Sequence, residues 1–202
     1  MMLNLWDQRY NCPDYVYGRD PNDFLRQRAG RIPPGRVLCL ADGEGRNGVW
    51  LAQQGYEVVS VDQSAVGLVK ARQLAQERGV HIHTIQADLA DFLIEPDSWQ
   101  GVVSIFCHLP GSLWQRVHQG AVAGLVPGGV LIVEAYSPAQ LELQKIHNSG
   151  GPRDAELLLS LEQLHSLTEI KWELAQECQR VLQEGSLHRG LAAVVQGVGV
   201  KP

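Results

Sequence analysis

The stretch Val37-Leu38-Cys39-Leu40-Ala41-Asp42-Gly43-Glu44-Gly45-Arg46-Asn47-Gly48 decides the fold of this chain. It predicts a buried strand that ends in a glycine turn, with a helix beginning directly after the turn. In an open α/β sheet such a turn lies at the carboxyl edge of the strands, where nucleotide-like cofactors bind. The sequence therefore predicts a cofactor site around this turn.

The carboxylate of Asp42, directly before Gly43, helps to choose the cofactor. A dinucleotide would place its pyrophosphate at the turn, against the amino end of the helix. A neighbouring carboxylate would repel that anion, by roughly several kcal/mol in a low-dielectric cleft. S-adenosylmethionine (SAM) carries a sulfonium and an ammonium group instead, so the turn favours SAM. The pattern Gly43-x-Gly45-x-x-Gly48 also fits the dinucleotide fingerprint, which leaves a nicotinamide-dependent oxidoreductase open as an alternative.

The composition is typical of one ordinary globular domain. The chain has 202 residues, of which 45% are hydrophobic and 19% charged. A net charge of −5, with basic residues scattered, argues against nucleic acid or a membrane surface as partner. There is no long apolar run and no secretion signal, so we expect a cytoplasmic protein, monomeric or homodimeric. The four cysteines form no CxxC pair, and His81 with His83 lacks further ligands, so no metal site is predicted.

Helix-like and strand-like segments alternate, which predicts a mostly parallel sheet with helices on both faces. The predicted strands are 36–41, 57–61, 81–85, 102–107 and 130–134; the predicted helices end near 55, 79 and 125. A preamble, 1–35, holds a helix with Asp20 as its N-cap and Pro21 at its first position. Residues 173–182 and 187–198 predict an antiparallel hairpin, whereas a dinucleotide fold would continue in parallel units.

We expect a single domain with three parts. The preamble, 1–35, either closes over the cofactor as a lid or simply packs on the sheet. Residues 36–136 form the cofactor-binding core, and residues 137–202 form a substrate-side region with the C-terminal hairpin. The loop Asn148-Ser149-Gly150-Gly151-Pro152 lies within the substrate-side region and is another candidate for movement.

Three acidic residues, Asp42, Asp62 and Asp88, end three successive predicted strands. The carboxyl ends of parallel strands share one edge, so we expect all three in one crevice. Asp62 is placed to accept hydrogen bonds from two ribose hydroxyls. Asp88 is placed for an adenine amino group, with the N–H of Leu89 available to a ring nitrogen. Singly, each aspartate is also typical of a solvated strand end or a helix cap.

The chain resembles the class I SAM-dependent methyltransferases over nearly its whole length. The resemblance rests on Leu40–Asn47, Val61-Asp62-Gln63-Ser64, Gln86-Ala87-Asp88-Leu89 and Leu125-Val126-Pro127-Gly128-Gly129. Within that superfamily it is most similar to the tellurite-resistance and thiopurine methyltransferase group. That similarity rests on Gly45-Arg46-Asn47 and the opening Trp6-Asp7-Gln8-Arg9-Tyr10.

The resemblance implies a Rossmann-like α/β sandwich whose sheet has seven strands, the last of them antiparallel. It also implies that Asp42 and the turn hold the methionine part of SAM, that Asp62 binds ribose, and that Asp88 with Leu89 binds adenine. The turn residues in this predicted site are Gly43, Gly45 and Asn47, and Gln63 beside Asp62 completes it. The family often reads Asp-x-Gly-x-Gly here, which leaves open whether Asp42 or Glu44 meets the methionine ammonium.

Methyl transfer from a sulfonium needs mainly proximity and orientation, so no conspicuous catalytic set is required. Candidates for the substrate side follow from position: His108 after the fourth strand, Tyr136 after the fifth, and His188 and Arg189 at the terminal hairpin. We expect a small-molecule methyl acceptor. The family resemblance points to a thiol, a selenol or a metalloid oxyanion. A non-catalytic SAM-binding scaffold stays open as the alternative from another functional class.

Overall fold

The computed structural model describes residues 5–202, and strands alternate with helices through most of them. The strands are β1 Arg36–Leu40, β2 Glu57–Asp62, β3 His83–Gln86, β4 Trp99–Ile105, β5 Leu125–Tyr136, β6 Lys171–Glu184 and β7 His188–Val200. The helices are α1 Leu5–Tyr10, α2 Asp23–Arg28, α3 Arg46–Gln53, α4 Ala65–Glu77, α5 Gly111–Gly124, α6 Gln140–Leu143 and α7 Leu161–His165. Short 3₁₀ turns occur at Ala29–Arg31 and Ala155–Leu157.

The described strands form one sheet in the order β3-β2-β1-β4-β5-β7-β6. The first five strands are parallel to one another, and β7 is antiparallel to both β5 and β6. The sequence analysis predicted a seven-stranded, mostly parallel sheet with an antiparallel last strand, and this prediction is confirmed. The parallel order brings the carboxyl ends of β1, β2 and β4 together at one edge.

Both faces of the sheet are buried because successive residues of a strand point to opposite sides. In β1, Leu38 and Leu40 join one apolar cluster, and Val37 and Cys39 join the other. The first cluster includes residues of α5, namely Trp114, Val117 and Ala121. The second includes residues of α2, α3 and α4, namely Phe24, Leu51 and Leu74. Helices on the two faces therefore hold the strand ends, and the turns that follow them, in fixed positions.

Several element boundaries differ from the sequence predictions; β4, for example, spans Trp99–Ile105 rather than 102–107. The N-cap of α2 is Asn22 rather than Asp20: Asn22 Oδ1 accepts a hydrogen bond from Leu25 N at 2.9 Å, whereas Asp20 is exposed. Strand β3 begins at His83 rather than residue 81. Strand β5 begins at Leu125 rather than Val130, because Leu125 already pairs with Trp99 before the register shifts.

A buried carboxylate, Glu134 near the end of β5, joins several of these elements. Its Oε1 accepts hydrogen bonds from Asn22 Nδ2 at 2.9 Å and from Arg180 Nη2 at 2.5 Å. Its Oε2 accepts from Arg180 Nε at 3.1 Å and from Gln196 Nε2 at 2.6 Å. The N-cap of α2, strand β6 and strand β7 therefore all meet at one fully buried residue of the central sheet.

A second carboxylate, Glu184 at the end of β6, extends this network toward α3. It accepts from Arg46 Nη2 and from Arg180 Nη2, each at 2.7 Å. Burial opposes ionisation of Glu184, but the guanidiniums of Arg46 and Arg180 outweigh it and lower its pKa. The two carboxylates and two guanidiniums balance in charge, which is the condition under which such groups can be buried.

We predict that Glu134→Gln lowers the free energy of unfolding by about 3–5 kcal/mol, because it leaves the guanidiniums of Arg46 and Arg180 sharing the one carboxylate of Glu184, with one buried positive charge uncompensated. The measurement is urea unfolding of the variant and the wild type. Glu142→Gln is the matched control, since Glu142 makes an exposed pair with Lys145 and its loss should have little effect. Equal losses in the two variants would contradict this account of the network.

Candidate active site

A cavity of about 570 Å³ lies at the carboxyl edge of the parallel strands. This volume falls within the range of roughly 300–1,000 Å³ that small-molecule sites occupy. Its walls come from the preamble, from the turns after β1 to β4, from loop 148–153 and from the turn between β6 and β7. The fold thus places the cavity where the sequence predicts a cofactor.

Most of the predicted site residues line this cavity: Asp42, Asn47, Asp62, Gln63, Asp88, Leu89, His108 and His188. Four others do not. Gly43 and Gly45 shape the turn beneath it, and Tyr136 is fully buried behind the wall, where its hydroxyl donates to Ser149 O at 2.5 Å. Arg189 is exposed and donates from Nε to Gly185 O at 2.7 Å. Tyr136 thus supports the wall, and Arg189 supports the hairpin turn.

The glycine turn permits two close approaches. Gly43 and Gly45 have φ values of +56° and +82°, a region that favours glycine. A Cβ at Gly43 would lie 2.6 Å from the hydroxyl of Tyr10, and a Cβ at Gly45 would lie 2.6 Å from Cβ of Ala71. Helices α1 and α4 therefore pack directly on the turn, and side chains at these positions would push them away.

The two acidic residues of the turn have different surroundings. Asp42 Oδ2 accepts from Ser60 Oγ at 2.6 Å, and Oδ1 accepts from Gly48 N at 3.3 Å. Burial, the largest influence, raises the pKa of Asp42 to about 7. Glu44 instead accepts from Val16 N at 2.8 Å and forms an ion pair with Lys70. Glu44 therefore holds the preamble on the core.

The other two strand-end carboxylates also differ. Asp62 is buried and accepts from Gly43 N and from Ser64 N, each at 2.8 Å. A carboxylate has about four acceptor sites, so Asp62 can accept a further hydrogen bond from a ligand. Asp88 is exposed and accepts from Ala90 N at 2.8 Å, which is the capping role that the sequence left open.

Residues of the preamble form one wall of the cavity. Trp6 stacks on Tyr10 with ring centroids 5.8 Å apart, and Arg9 Nη1 donates to the hydroxyl of Tyr17 at 2.9 Å. The ammonium of Lys70 donates to the carbonyl oxygen of Asp14 at 2.6 Å and so fastens the preamble from below. Trp6, Arg9 and Tyr10 belong to the opening segment on which the family resemblance rests. Lys70 was missed, because it lies in the middle of a helical pattern far along the chain.

Rings of His108 and His188 line the side of the cavity that faces β4 to β7. The His188 ring lies 4.6 Å from Tyr17 and 4.8 Å from Phe106, centroid to centroid. His108 Nδ1 donates to Leu157 O at 3.3 Å. Burial lowers the pKa of His108 to about 4 and that of His188 to about 3, so both rings are neutral at neutral pH.

Phe106 and Arg153 also line the cavity, although the sequence analysis did not single them out. Phe106 has a φ of +52°, which is unusual for a bulky residue and turns the chain sharply at the end of β4. Its ring lies 4.7 Å from that of Tyr136 and so helps to build the aromatic wall. No sequence pattern predicts this backbone conformation, since it results from packing against distant residues.

Within residues 5–202, no group of three or more His, Cys, Asp and Glu side chains is arranged to hold a metal ion. His81 and His83 contact each other, with ring centroids 4.8 Å apart, but they stand outside the cavity. In the same part of the chain, no helix has both the length and the apolar character that a membrane span requires.

The central part of the chain matches a known family. Residues 37–129, which contain the turn and the strand-end acids, match the family model described as "Methyltransferase domain". The chain is 37% identical over 108 residues to "Uncharacterized methyltransferase YbaJ" of Bacillus subtilis (strain 168), covering 51% of this chain and 41% of that protein. It is 34% identical over 83 residues to "Glycine/sarcosine N-methyltransferase" of Halorhodospira halochloris, covering 41% and 28% respectively. The chain thus spans less than half the length of the curated relatives it matches.

Solved structures resemble the whole fold. One described as "Conversion of a Disulfide Bond into a Thioacetal Group during Echinomycin Biosynthesis" has a TM-score of 0.77 at 18% identity, covering 100% of this chain and 92% of that one. TehB from Haemophilus influenzae has a TM-score of 0.71 at 17% identity, covering 98% and 66%. Magnesium protoporphyrin IX methyltransferase from Synechocystis PCC 6803, with bound S-adenosylhomocysteine (SAH), has a TM-score of 0.63 at 16% identity. The match covers 88% of this chain and 78% of that one.

At such identities the structural likenesses establish the fold and do not select a group within it. The predicted similarity to the tellurite-resistance and thiopurine group therefore stays a prediction, although TehB is among the structural neighbours. The chain has the Rossmann-like fold of class I methyltransferases, and its central part matches a methyltransferase domain.

We predict that the raised pKa of Asp42 makes its contribution to stability depend on pH. The folded-state pKa is about 7 and the ordinary value is 3.8, so the folded protein holds more protons between these values. The stabilisation that the protonated Asp42 side chain gives to the folded state is therefore present at low pH, and it is lost as the pH rises from about 4 to about 7. The neutral variant Asp42→Asn should gain stability relative to the wild type over that interval.

Urea unfolding of both proteins at several pH values measures this difference. Asp91→Asn, which removes an exposed carboxylate near the same edge, is the matched control and should show no such trend. Parallel stability curves for Asp42→Asn and the wild type would show that the carboxylate carries no burial penalty.

Proposed function

We propose that this protein is a SAM-dependent methyltransferase that acts on a small molecule. One observation carries the proposal: carboxylates line the part of the cavity at the ends of β1, β2 and β3. They are Asp42, Glu44, Asp62 and Asp88. Lys70 compensates Glu44, but a cofactor with a cationic end would still fit this half and would favour the ionised form of Asp42, whose pKa is raised to about 7, whereas a pyrophosphate would be repelled. The class I methyltransferase fold and the matched methyltransferase domain support the same cofactor.

The part of the cavity lined by these four carboxylates is called the acidic half. In this proposal its residues bind different parts of the cofactor. Asp62 accepts hydrogen bonds from the ribose hydroxyls, while its bonds to Gly43 and Ser64 keep the carboxylate oriented. Asp88 and Leu89 bind the adenine edge. Asp42, rather than Glu44, faces the methionine part, because Glu44 is already engaged by the preamble and Lys70. SAM supplies a methyl group on a sulfonium, with a good leaving group built in.

The chain's own contribution to the reaction is orientation and exclusion of water. Trp6, Tyr10 and Tyr17 close the cavity from the preamble side. His108 and His188 have pKa values of about 4 and 3, so they are too weakly basic to remove a proton from a neutral acceptor. In this proposal neither histidine acts as the general base, and the acceptor arrives deprotonated or releases its proton to water. This favours a soft nucleophile, such as a thiolate, a selenolate or a metalloid oxyanion.

The proposed cofactor is tested by calorimetric titration with S-adenosylhomocysteine (SAH) and, separately, with NADH. We expect micromolar binding of SAH and none of NADH. Asp62→Asn should weaken SAH at least about tenfold, since a charged acceptor on the ribose is lost. The control Asp91→Asn removes the same charge from an exposed position outside the cavity and should bind SAH as the wild type does.

Binding of NADH in place of SAH would overturn the proposal in favour of an oxidoreductase. If SAH binds, turnover of methyl-labelled SAM separates an enzyme from a non-catalytic scaffold. The screen includes thiols, selenite and tellurite. It also includes small amines, because one relative is named as a glycine/sarcosine N-methyltransferase. Tight SAH binding with no methyl transfer to any acceptor would favour the scaffold.

A further inference from the structure

Two buried nitrogens beside the cavity have no hydrogen-bond partner among the described residues: Arg46 Nη1 and His188 Nδ1. Both residues line the cavity, and the side chain of Arg46 and the whole of His188 are more than nine-tenths buried. Buried polar groups are almost always paired, and leaving one unpaired costs free energy. Two such groups in one wall therefore point to a ligand.

Arg46 is held in place by its other nitrogen. Its Nη2 donates to Glu184 Oε2 at 2.7 Å, and Glu184 is in turn fixed by Arg180. A guanidinium carries only donors, so the unpaired Nη1 requires an acceptor, and an anionic oxygen makes the strongest such bond. The unpaired Nη1 is thus one free donor of a rigidly held cation within the cavity wall.

His188 belongs to the same corner of the site. Its backbone pairs with that of Glu184 across the β6–β7 ladder, which places the imidazole next to the residue that holds the guanidinium of Arg46. The ring is packed by Tyr17 and Phe106. A neutral imidazole has one N–H, which can be placed on Nδ1 and donated. Two donors can then converge on a group that has two acceptor oxygens.

Charge is divided across the cavity. The acidic residues described above occupy the half at β1 to β3. The arginines that line the cavity are Arg9, Arg46 and Arg153, and Arg46 is tied to β6 through Glu184. Because the Arg46–Glu184 pair is balanced in charge, the unpaired Nη1 donor rather than net charge favours an anionic oxygen at this wall, whereas the cofactor half favours a cation.

We propose that Arg46 and His188 form a subsite for a carboxylate of the methyl acceptor, with Arg46 Nη1 and His188 Nδ1 each donating to one carboxylate oxygen. The acceptor is then a small carboxylic acid that carries its nucleophilic atom elsewhere in the molecule. This inference rests on the proposed function, because it assumes that the acidic half holds SAM.

The test uses two thiols of matched length, 3-mercaptopropionate and 3-mercapto-1-propanol, titrated calorimetrically into the SAH-saturated protein. We expect the carboxylate to bind at least about tenfold more tightly than the alcohol, as for a hydrogen bond to a charged group. It should also shift the NMR resonances of the His188 ring, whereas the alcohol should not. Equal binding of both thiols, or no binding of either, would overturn the proposal.

Arg46→Lys keeps a positive charge for Glu184 and deletes the second donor nitrogen. It should remove the preference for the carboxylate. Arg180→Lys is the matched control, because Arg180 belongs to the same buried network but does not line the cavity. His188→Phe, which keeps the aromatic packing, should reduce the preference several-fold even if Arg46→Lys does not fold. An unchanged preference in His188→Phe would remove His188 from the subsite.

SAM itself carries a carboxylate, so a separate titration tests whether Arg46 binds the cofactor rather than the acceptor. SAH and 5′-methylthioadenosine, which lacks the amino-acid part, are titrated into the wild type and Arg46→Lys. We expect both ligands to bind the variant as they bind the wild type. A selective loss of SAH would assign Arg46 to the cofactor and overturn the acceptor subsite. Failure of the wild type to bind SAH would instead refute the proposed function.

Discussion

The site depends on the pairing of two buried carboxylates, Glu134 and Glu184, with the guanidiniums of Arg46 and Arg180. These groups come from α3, β5 and β6, and Asn22 connects them to the start of α2. Breaking one pair leaves an uncompensated charge in the interior, so the elements around the cavity are held in one arrangement. The preamble is attached by a similar pair, Glu44 with Lys70, at the glycine turn. The core and the cover of the cavity are thus fixed by buried ion pairs.

This network also gives the two halves of the cavity their different chemistry. The acidic half follows from the parallel strands, whose carboxyl ends must share one edge. The other half offers an unpaired donor, because Arg46, which begins α3 beside the acidic turn, reaches across to Glu184 on β6 and leaves its Nη1 without a partner among the described residues. A cationic cofactor and an anionic acceptor are then attracted to opposite walls. Such complementarity orients both without a dedicated proton acceptor, which agrees with the weakly basic histidines of the wall.

The sequence predicts the features that the local pattern of residues determines. It predicts fewer of the features that depend on contacts between residues far apart in the chain. The parallel strands, the terminal hairpin and the positions of Asp42 and Asp62 follow from periodicity and from turn residues. The N-cap at Asn22 was missed because its choice over Asp20 depends on contacts with Asn47 and Glu134. Arg189 was placed beside the substrate from strand direction alone. Alternate residues of a strand point to opposite faces, so His188 is buried whereas Arg189 is exposed.

The most direct test of the account is a crystal structure of the protein with bound SAH. The account predicts that the ribose hydroxyls contact the carboxylate of Asp62 and that the homocysteine part lies against the glycine turn beside Asp42. The wall formed by Arg46 and His188 should stay uncontacted by SAH and accessible to an acceptor. SAH with its carboxylate on Arg46, or with its ribose away from Asp62, would contradict the division of the cavity into a cofactor half and an acceptor half.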